Sequence, residues 1–158
     1  MLAVDGTRFG DGAVHEAMNF ARRCSSRLIV LFPIVATMET ESESPLTHEK
    51  EESEAETYLG KIKKQAFEMG IPCEGIICEA ADAADCIVDE ARERAADMII
   101  IGKRGISGWK KLLIGETAAN VIGKAPCKVL VVPPDGRLSY KTILNCARWV
   151  APQRIRRS

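Results

Sequence analysis

One segment limits the folds open to this chain more than any other. From Asp97 to Pro133 it reads DMIIIGKRGISGWKKLLIGETAANVIGKAPCKVLVVP. A short apolar run, Met98 to Ile101, ends at Gly102. Gly105 follows after two intervening residues and Gly115 after nine more. A helix-like stretch starts there, and a second apolar run, Lys128 to Val132, closes the unit. Short apolar runs bounded by turn residues read as buried strands. The unit is therefore strand, glycine-bearing loop, helix and strand. Glycines at the C-end of a parallel strand leave backbone N–H groups free to approach an anion. A helix that starts there adds its positive dipole end. That is the local chemistry of a phosphate site.

The rest of the chain keeps the alternation. A strand is predicted over Leu2 to Val4. A helix follows over Asp11 to Arg23, with Val14, Met18 and Ala21 on one face. Leu28 to Phe32 is a continuous apolar run, of the kind buried on both faces. Thr37 to Ser53 lacks periodicity, is rich in Glu and Ser, and is interrupted by Pro45; it reads as a mobile acidic loop. The next helix is placed at about Glu49 to Met69, with Ala55, Leu59, Ile62, Ala66 and Met69 inward and Gly70 and Pro72 as its stop. A strand over Cys73 to Cys78 precedes a helix over Ala83 to Ala95, with Ala84, Ile87, Val88, Ala91 and Ala95 inward. The fourth helix is placed over Glu116 to Lys124. This pattern predicts an α/β fold, an open parallel five-stranded sheet with helices on both faces. Pattern alone leaves the strand order open between 2-1-3-4-5 and 3-2-1-4-5.

Bulk numbers exclude some functions. The chain has 158 residues and 46% hydrophobic content, enough for one domain with its own core. Its formal net charge is zero, which argues against electrostatic capture of nucleic acid or an acidic membrane. No apolar run approaches the ~20 residues of a membrane span, and Met1-Leu2-Ala3-Val4 reads as entering the fold directly, without a signal peptide. None of the six cysteines forms a C-x-x-C pair and there are only two histidines, which argues against structural zinc. The cysteines fall mostly in apolar strands or helix faces and read as small buried hydrophobes in a reduced cytoplasm. A redox-sensing cysteine is the alternative reading.

Gly102, Gly105 and Gly115 fit the spacing G-x2-G-x9-G-[S/T], with Glu116 standing where Ser or Thr is usual. Ala3-Val4-Asp5-Gly6-Thr7 forms a strand with an acidic turn. Ala125 to Val132 forms a closing strand. Glu79 to Ile87 forms a helix entry, with Ala81 and Ala83 in place of a usual Gly and Pro. Together these resemble the universal stress protein family over roughly residues 1 to 134. The resemblance implies a Rossmann-like domain, similar to the adenine nucleotide alpha hydrolases, with strand order 3-2-1-4-5. In that order the loops after strands 1 and 4 face one crevice at a topological switch point, where ligands bind in open α/β sheets. It also implies ATP binding and a homodimer joined through the last strand, Val129, Leu130, Val131 and Val132. Pairing there would cover an apolar edge. Residues 135–158 fall outside the resemblance and read as a basic tail. They carry Arg137, Lys141, Arg148, Arg154, Arg156 and Arg157 against one acid, Asp135.

The resemblance and the local chemistry together give a predicted nucleotide site of Ala3, Asp5, Gly6, Thr7, Pro33, Ile101, Gly102, Arg104, Gly105, Gly115, Glu116 and Thr117. Asp5 either accepts from ribose hydroxyls or adenine, or caps the turn that follows it. Thr7 donates to a phosphate or caps the first helix. Gly102 and Gly105 let backbone close around a triphosphate, with Lys103 and Arg104 beside them as candidate counter-charges. Ile101 and Pro33 flank the adenine position; Pro33 stands where Val is usual and has no N–H to offer the base. Glu116 occupies or repels a phosphate, serves as a Mg²⁺ ligand, or swings to solvent and leaves Thr117 to donate. No Ser-His-acid or Cys-His arrangement is legible. The leading reading is thus a cytoplasmic stress-response regulator that binds ATP, with or without Mg²⁺, and signals as a homodimer to other proteins. The alternatives are a member that acts through protein contacts without nucleotide, and a slow ATPase.

Overall fold

A computed structural model describes residues 1–35, 45–103 and 114–134. Residues 37–44 of the predicted acidic loop, Arg104, Gly105, Trp109 and the basic tail lie outside the described residues, as do the side chains of 45–48.

The chain runs β1 (Leu2–Ala3), a 3-10 turn (Arg8–Gly10), α1 (Asp11–Arg23), β2 (Leu28–Val35), α2 (Pro45–Glu68), β3 (Cys73–Ala80), α3 (Ala83–Glu93), β4 (Met98–Gly102), α4 (Glu116–Lys124) and β5 (Lys128–Val132). The strands form one all-parallel sheet in the order β3-β2-β1-β4-β5. This is the order that the family resemblance implied and the pattern alone left open. β1 is central although only two residues long: Leu2 pairs with Val30 and Ile100, and Ala3 with Leu31 and Ile101.

The two-residue period of the strands divides the core into two layers. Leu2, Val30 and Ile100 turn to one face and pack with Ala13, Ala17 and Met18 of α1 and Leu59, Ile62 and Ala66 of α2. Ala3, Leu31, Ile99 and Ile101 turn to the other, against Ala84, Ile87 and Ala91 of α3 and Ala118 and Val121 of α4. Continuous apolar runs were needed because both faces of the sheet are covered.

Several boundaries differ from the sequence reading. Helix α2 begins at Pro45, so residues 45–53 are helical rather than loop. Proline was read there as an interruption. Its fixed φ and missing N–H instead suit the first helical position, and the Glu- and Lys-rich stretch behind it propagates the helix. Lys50 and Glu54 add an i,i+4 ion pair at 3.8 Å. Strands β2 and β3 run on to Val35 and Ala80, pairing with each other past the end of β1. Helix α3 stops at Glu93, and Ala95 is exposed rather than inward, with a left-handed φ of 49°. The Ala96 N–H returns to the Ala91 carbonyl at 2.9 Å, closing the helix end.

At its other end, α3 is capped by Asp82, whose Oδ1 accepts from the N–H groups of Ala84 at 2.7 Å and Asp85 at 3.0 Å. Asp82→Ala is expected to cost about 0.5–2 kcal/mol. Differential scanning calorimetry should show the midpoint falling by several degrees. Asp89→Ala, which removes only an exposed pair with Arg92, should leave it nearly unchanged.

Candidate functional site

The turn after β1 is built by Asp5. Its Oδ1 accepts from the Thr7 N–H at 3.0 Å and from the Thr7 hydroxyl at 2.7 Å. The turn-capping role considered for Asp5 is thus observed, with Thr7 as its partner. Gly6 lies between them at φ +73°, and a Cβ there would meet the Phe32 ring at 3.2 Å. The backbone therefore favours glycine, and any side chain would also press the Phe32 ring aside by a few tenths of an ångström.

Across the switch point, β4 ends at Gly102 and α4 begins after Gly115. The Gly115 N–H donates to the Lys103 carbonyl at 2.8 Å, and the Lys103 N–H donates to the Val132 carbonyl at 2.7 Å. These bonds seat the start of α4 beside the ends of β4 and β5. Gly115 is the N-cap and supplies no side-chain cap, so the first turn of α4 keeps N–H donors without an intrahelical partner. Glu116, the first helical residue, is exposed.

Between the two turns lies a cleft of about 270 Å³. Of the predicted residues, Ala3, Asp5, Pro33, Ile101, Gly102, Gly115, Glu116 and Thr117 line it. Gly6 and Thr7 shape the adjoining turn and are not among the lining residues; Arg104 and Gly105 lie outside the described residues. The sequence reading missed Val4, Gly10, Val35, Ala83, Ile87 and Ala118. Ala83 and Ile87 lie one helical turn apart on α3; the sequence reading took Ala83 only as the helix start and Ile87, from its spacing, only as core.

Pro33 has a structural reason for its place. Leu31 presents its carbonyl to the Val4 N–H at 3.0 Å, so its peptide groups face β1. Two residues on, Pro33 faces the same way, beyond the last residue of β1. Its missing N–H ends the β1–β2 ladder after Val4, and its ring becomes apolar wall. Nearby, Tyr58 meets the Phe32 ring edge-on at 6.1 Å between centroids. Burial pushes the Tyr58 phenol up from its ordinary value, and the negative charges of Asp11 and Asp5 push it the same way. Among the described residues no three His, Cys, Asp or Glu side chains converge on a metal position. No helix among them is long and apolar enough to cross a membrane.

A glycine-ended β4, an acidic turn after β1 and an uncapped helix start thus meet at one cleft. The family model described as Universal stress protein family matches residues 1–133. The chain belongs to the universal stress protein family. A universal stress protein of Methanocaldococcus jannaschii, MJ0531, is 29% identical over 136 residues, covering 84% of this chain and 79% of the relative. The solved structure of MJ0577, described as a structure-based assignment of biochemical function, superposes with a TM-score of 0.74 at 27% identity, over 83% of this chain and 92% of that one. The universal stress protein from Archaeoglobus fulgidus in complex with dAMP superposes at 0.63 with 23% identity, over 82% and 93% of the two chains; at that identity the likeness concerns the fold.

One reading of the cysteines needs correction. Cys78 and Cys86 are joined as a disulfide, whereas they had been read as separate apolar side chains. The two lie on neighbouring elements, β3 and α3, which sequence spacing does not bring together. Cys24 is exposed, Cys73 and Cys127 are half-buried, and Cys146 lies outside the described residues.

Proposed function

We propose that this universal stress protein binds an adenine nucleotide in the cleft beyond β1 and β4 and signals its state to partner proteins. In this reading it acts in the cytoplasm as a stress-response homodimer joined through β5. The convergence of Asp5, Gly102 and the uncapped start of α4 on one largely apolar cleft carries the reading. Such a site offers flat apolar walls to a base and N–H donors to a phosphate.

Each residue has a physical role in this arrangement. Ala3, Pro33 and Ile101 would flank the adenine ring. Asp5 would accept from a ribose hydroxyl through the carboxylate oxygen that does not serve Thr7. Gly102 and Gly115, without side chains, would let backbone approach the phosphates, and Thr117 would donate its hydroxyl. The nucleotide-bound structure from Archaeoglobus fulgidus supports adenine chemistry for the shared fold. The dimer is supported by β5, an edge strand of the sheet whose Val129, Leu130 and Val131 are only half-buried. Glu116 favours a second reading: its carboxylate stands at the start of α4, where a phosphate would otherwise sit, and a nucleotide-independent member would tolerate it.

Calorimetric titration of ATP, ADP and AMP into nucleotide-stripped protein, with and without Mg²⁺, tests the proposal. Binding in the micromolar range is expected, with sedimentation of the same sample at twice the 17.3 kDa chain mass. Silence toward all three nucleotides, from this chain and from Glu116→Ser alike, would sink nucleotide binding. A monomer at every concentration would remove the dimer. Phosphate release from the same samples decides on slow hydrolysis.

A further inference from the structure

We propose that Cys78 and Cys86 form a peroxide-oxidised dithiol site, and that its redox state sets the rigidity of the α3 wall of the cleft. The effect on nucleotide affinity rests on the binding reading above; the dithiol site itself does not.

The geometry singles out this pair. Their Cα atoms are 6.6 Å apart, within reach of a disulfide, and only eight positions separate them in sequence. Both adjoin the cleft. Cys78 pairs in register with Pro33, a lining residue, and Cys86 lies beside the lining residues Ala83 and Ile87. A bond between the two cysteines therefore ties the first turn of α3 to β3, the strand paired with the one that carries the wall residues Pro33 and Val35. The remaining described thiols are placed differently. Cys24 is exposed at the end of α1 and is not among the residues that line the cleft. Cys73 packs on the other layer of the core, Cys127 belongs to the α4–β5 end, and burial holds both thiols above their ordinary pKa. Such thiols carry little thiolate and react slowly.

The two cysteines also divide the chemistry between them. Cys78 is half-buried and the more open of the two to a hydroperoxide, whereas Cys86 is 4% exposed and sits in the first turn of α3, placed to attack Cys78. A hydroperoxide transfers one oxygen to the Cys78 thiolate: the S–O bond forms, the O–O bond breaks, and water or an alcohol leaves after protonation. The Cys86 thiolate then attacks the Cys78 sulfenic acid; the S–S bond forms, the S–O bond breaks, and water leaves. Two electrons pass from the sulfurs to the peroxide. A thiol reductant reverses the change.

The test compares the intact chain after hydrogen peroxide and after dithiothreitol. Alkylation and peptide mapping should find Cys78 joined to Cys86 in the first sample, with Cys24, Cys73 and Cys127 in no disulfide with either. Amide exchange over residues 83–88 should be roughly tenfold slower in the oxidised form, reflecting a suppressed local opening. ADP affinity should be at least about fivefold higher in that form, within the usual span of coupling between sites. Cys78→Ser should abolish both differences, and Cys78→Ala serves if the serine variant folds poorly. Free Cys78 and Cys86 after peroxide, or equal exchange in both forms, would overturn the dithiol site. Unequal exchange with equal ADP affinity would overturn its link to the ligand. Unequal exchange with no nucleotide bound to either form upholds the dithiol site and removes the nucleotide reading instead.

Discussion

Replacing Glu116 by serine is expected to raise the affinity for ADP and ATP by roughly tenfold to a hundredfold, while adenosine binding stays level. Glu116 begins α4 and lines the cleft. Two like unit charges at 4 Å and an effective dielectric near 20 repel by about 4 kcal/mol. The side chain is exposed, so solvent, salt and rotation toward water remove part of that. A residual of about 1.4–2.7 kcal/mol corresponds to the stated range. The carboxylate also fits the positive end of the helix, worth ~0.3–1 kcal/mol, so its removal should slightly destabilise the free protein. Glu116→Gln separates charge from the serine hydroxyl: it should recover most of the gain if repulsion is the cause. Titrations with and without Mg²⁺ decide the remaining role. A Mg²⁺ ion bridging Glu116 and phosphate would make the natural chain depend on the metal more steeply than either variant. Equal ATP affinities for the natural chain, Glu116→Ser and Glu116→Gln would show that this carboxylate does not govern the site.

What the sequence disclosed follows from what periodicity can encode. The ends of α1, α4 and β5 were legible because apolar spacing and caps coincide there: Asp11 opens α1, and Lys128 to Val132 is an unbroken apolar run. Strand order was not encoded in that pattern. It depends on which β-edge each crossover reaches, and only the family resemblance supplied it. Pro45 was misread because one property, a missing N–H, both breaks a helix interior and suits a helix start. The acidic turn and the glycine-bearing loop were found because their backbone demands appear as residue types. The third wall of the cleft was not found. Ala83 read as a helix start and Ile87 as part of an apolar helix face, and nothing in the identity of either marks a lining residue. The Cys78–Cys86 pairing likewise depends on how β3 and α3 pack, which spacing does not show.

Leu31→Ala is expected to lower stability by about 2–5 kcal/mol, with a fall in thermal midpoint of roughly 5–15 °C for a chain of this size. Leu31 is 0% exposed and lies in the middle of β2. It pairs with Ala3 on one side and Ile76 on the other, and belongs to the core layer of α3 and α4. The neighbours are poorly placed to close the gap. Ala3 is small, its strand is two residues long, and the backbone of Leu31 is itself tied to Val4 at 3.0 Å. Truncation should therefore leave most of a cavity, which is the condition for the upper part of the range. Ala84 and Ile87 would lose a packing partner on the side where α3 forms the cleft wall, so nucleotide affinity should fall together with stability. Phe67→Ser supplies the contrast. Phe67 is 85% exposed on α2, and its loss should change stability by no more than about 0.5 kcal/mol. Denaturant melts of the two variants beside the natural chain distinguish a core position from a large residue that merely reads as apolar. Similar midpoints for Leu31→Ala and the natural chain would mean that the α3 layer relaxes into the space, and that the wall of the cleft is not held by packing on β2.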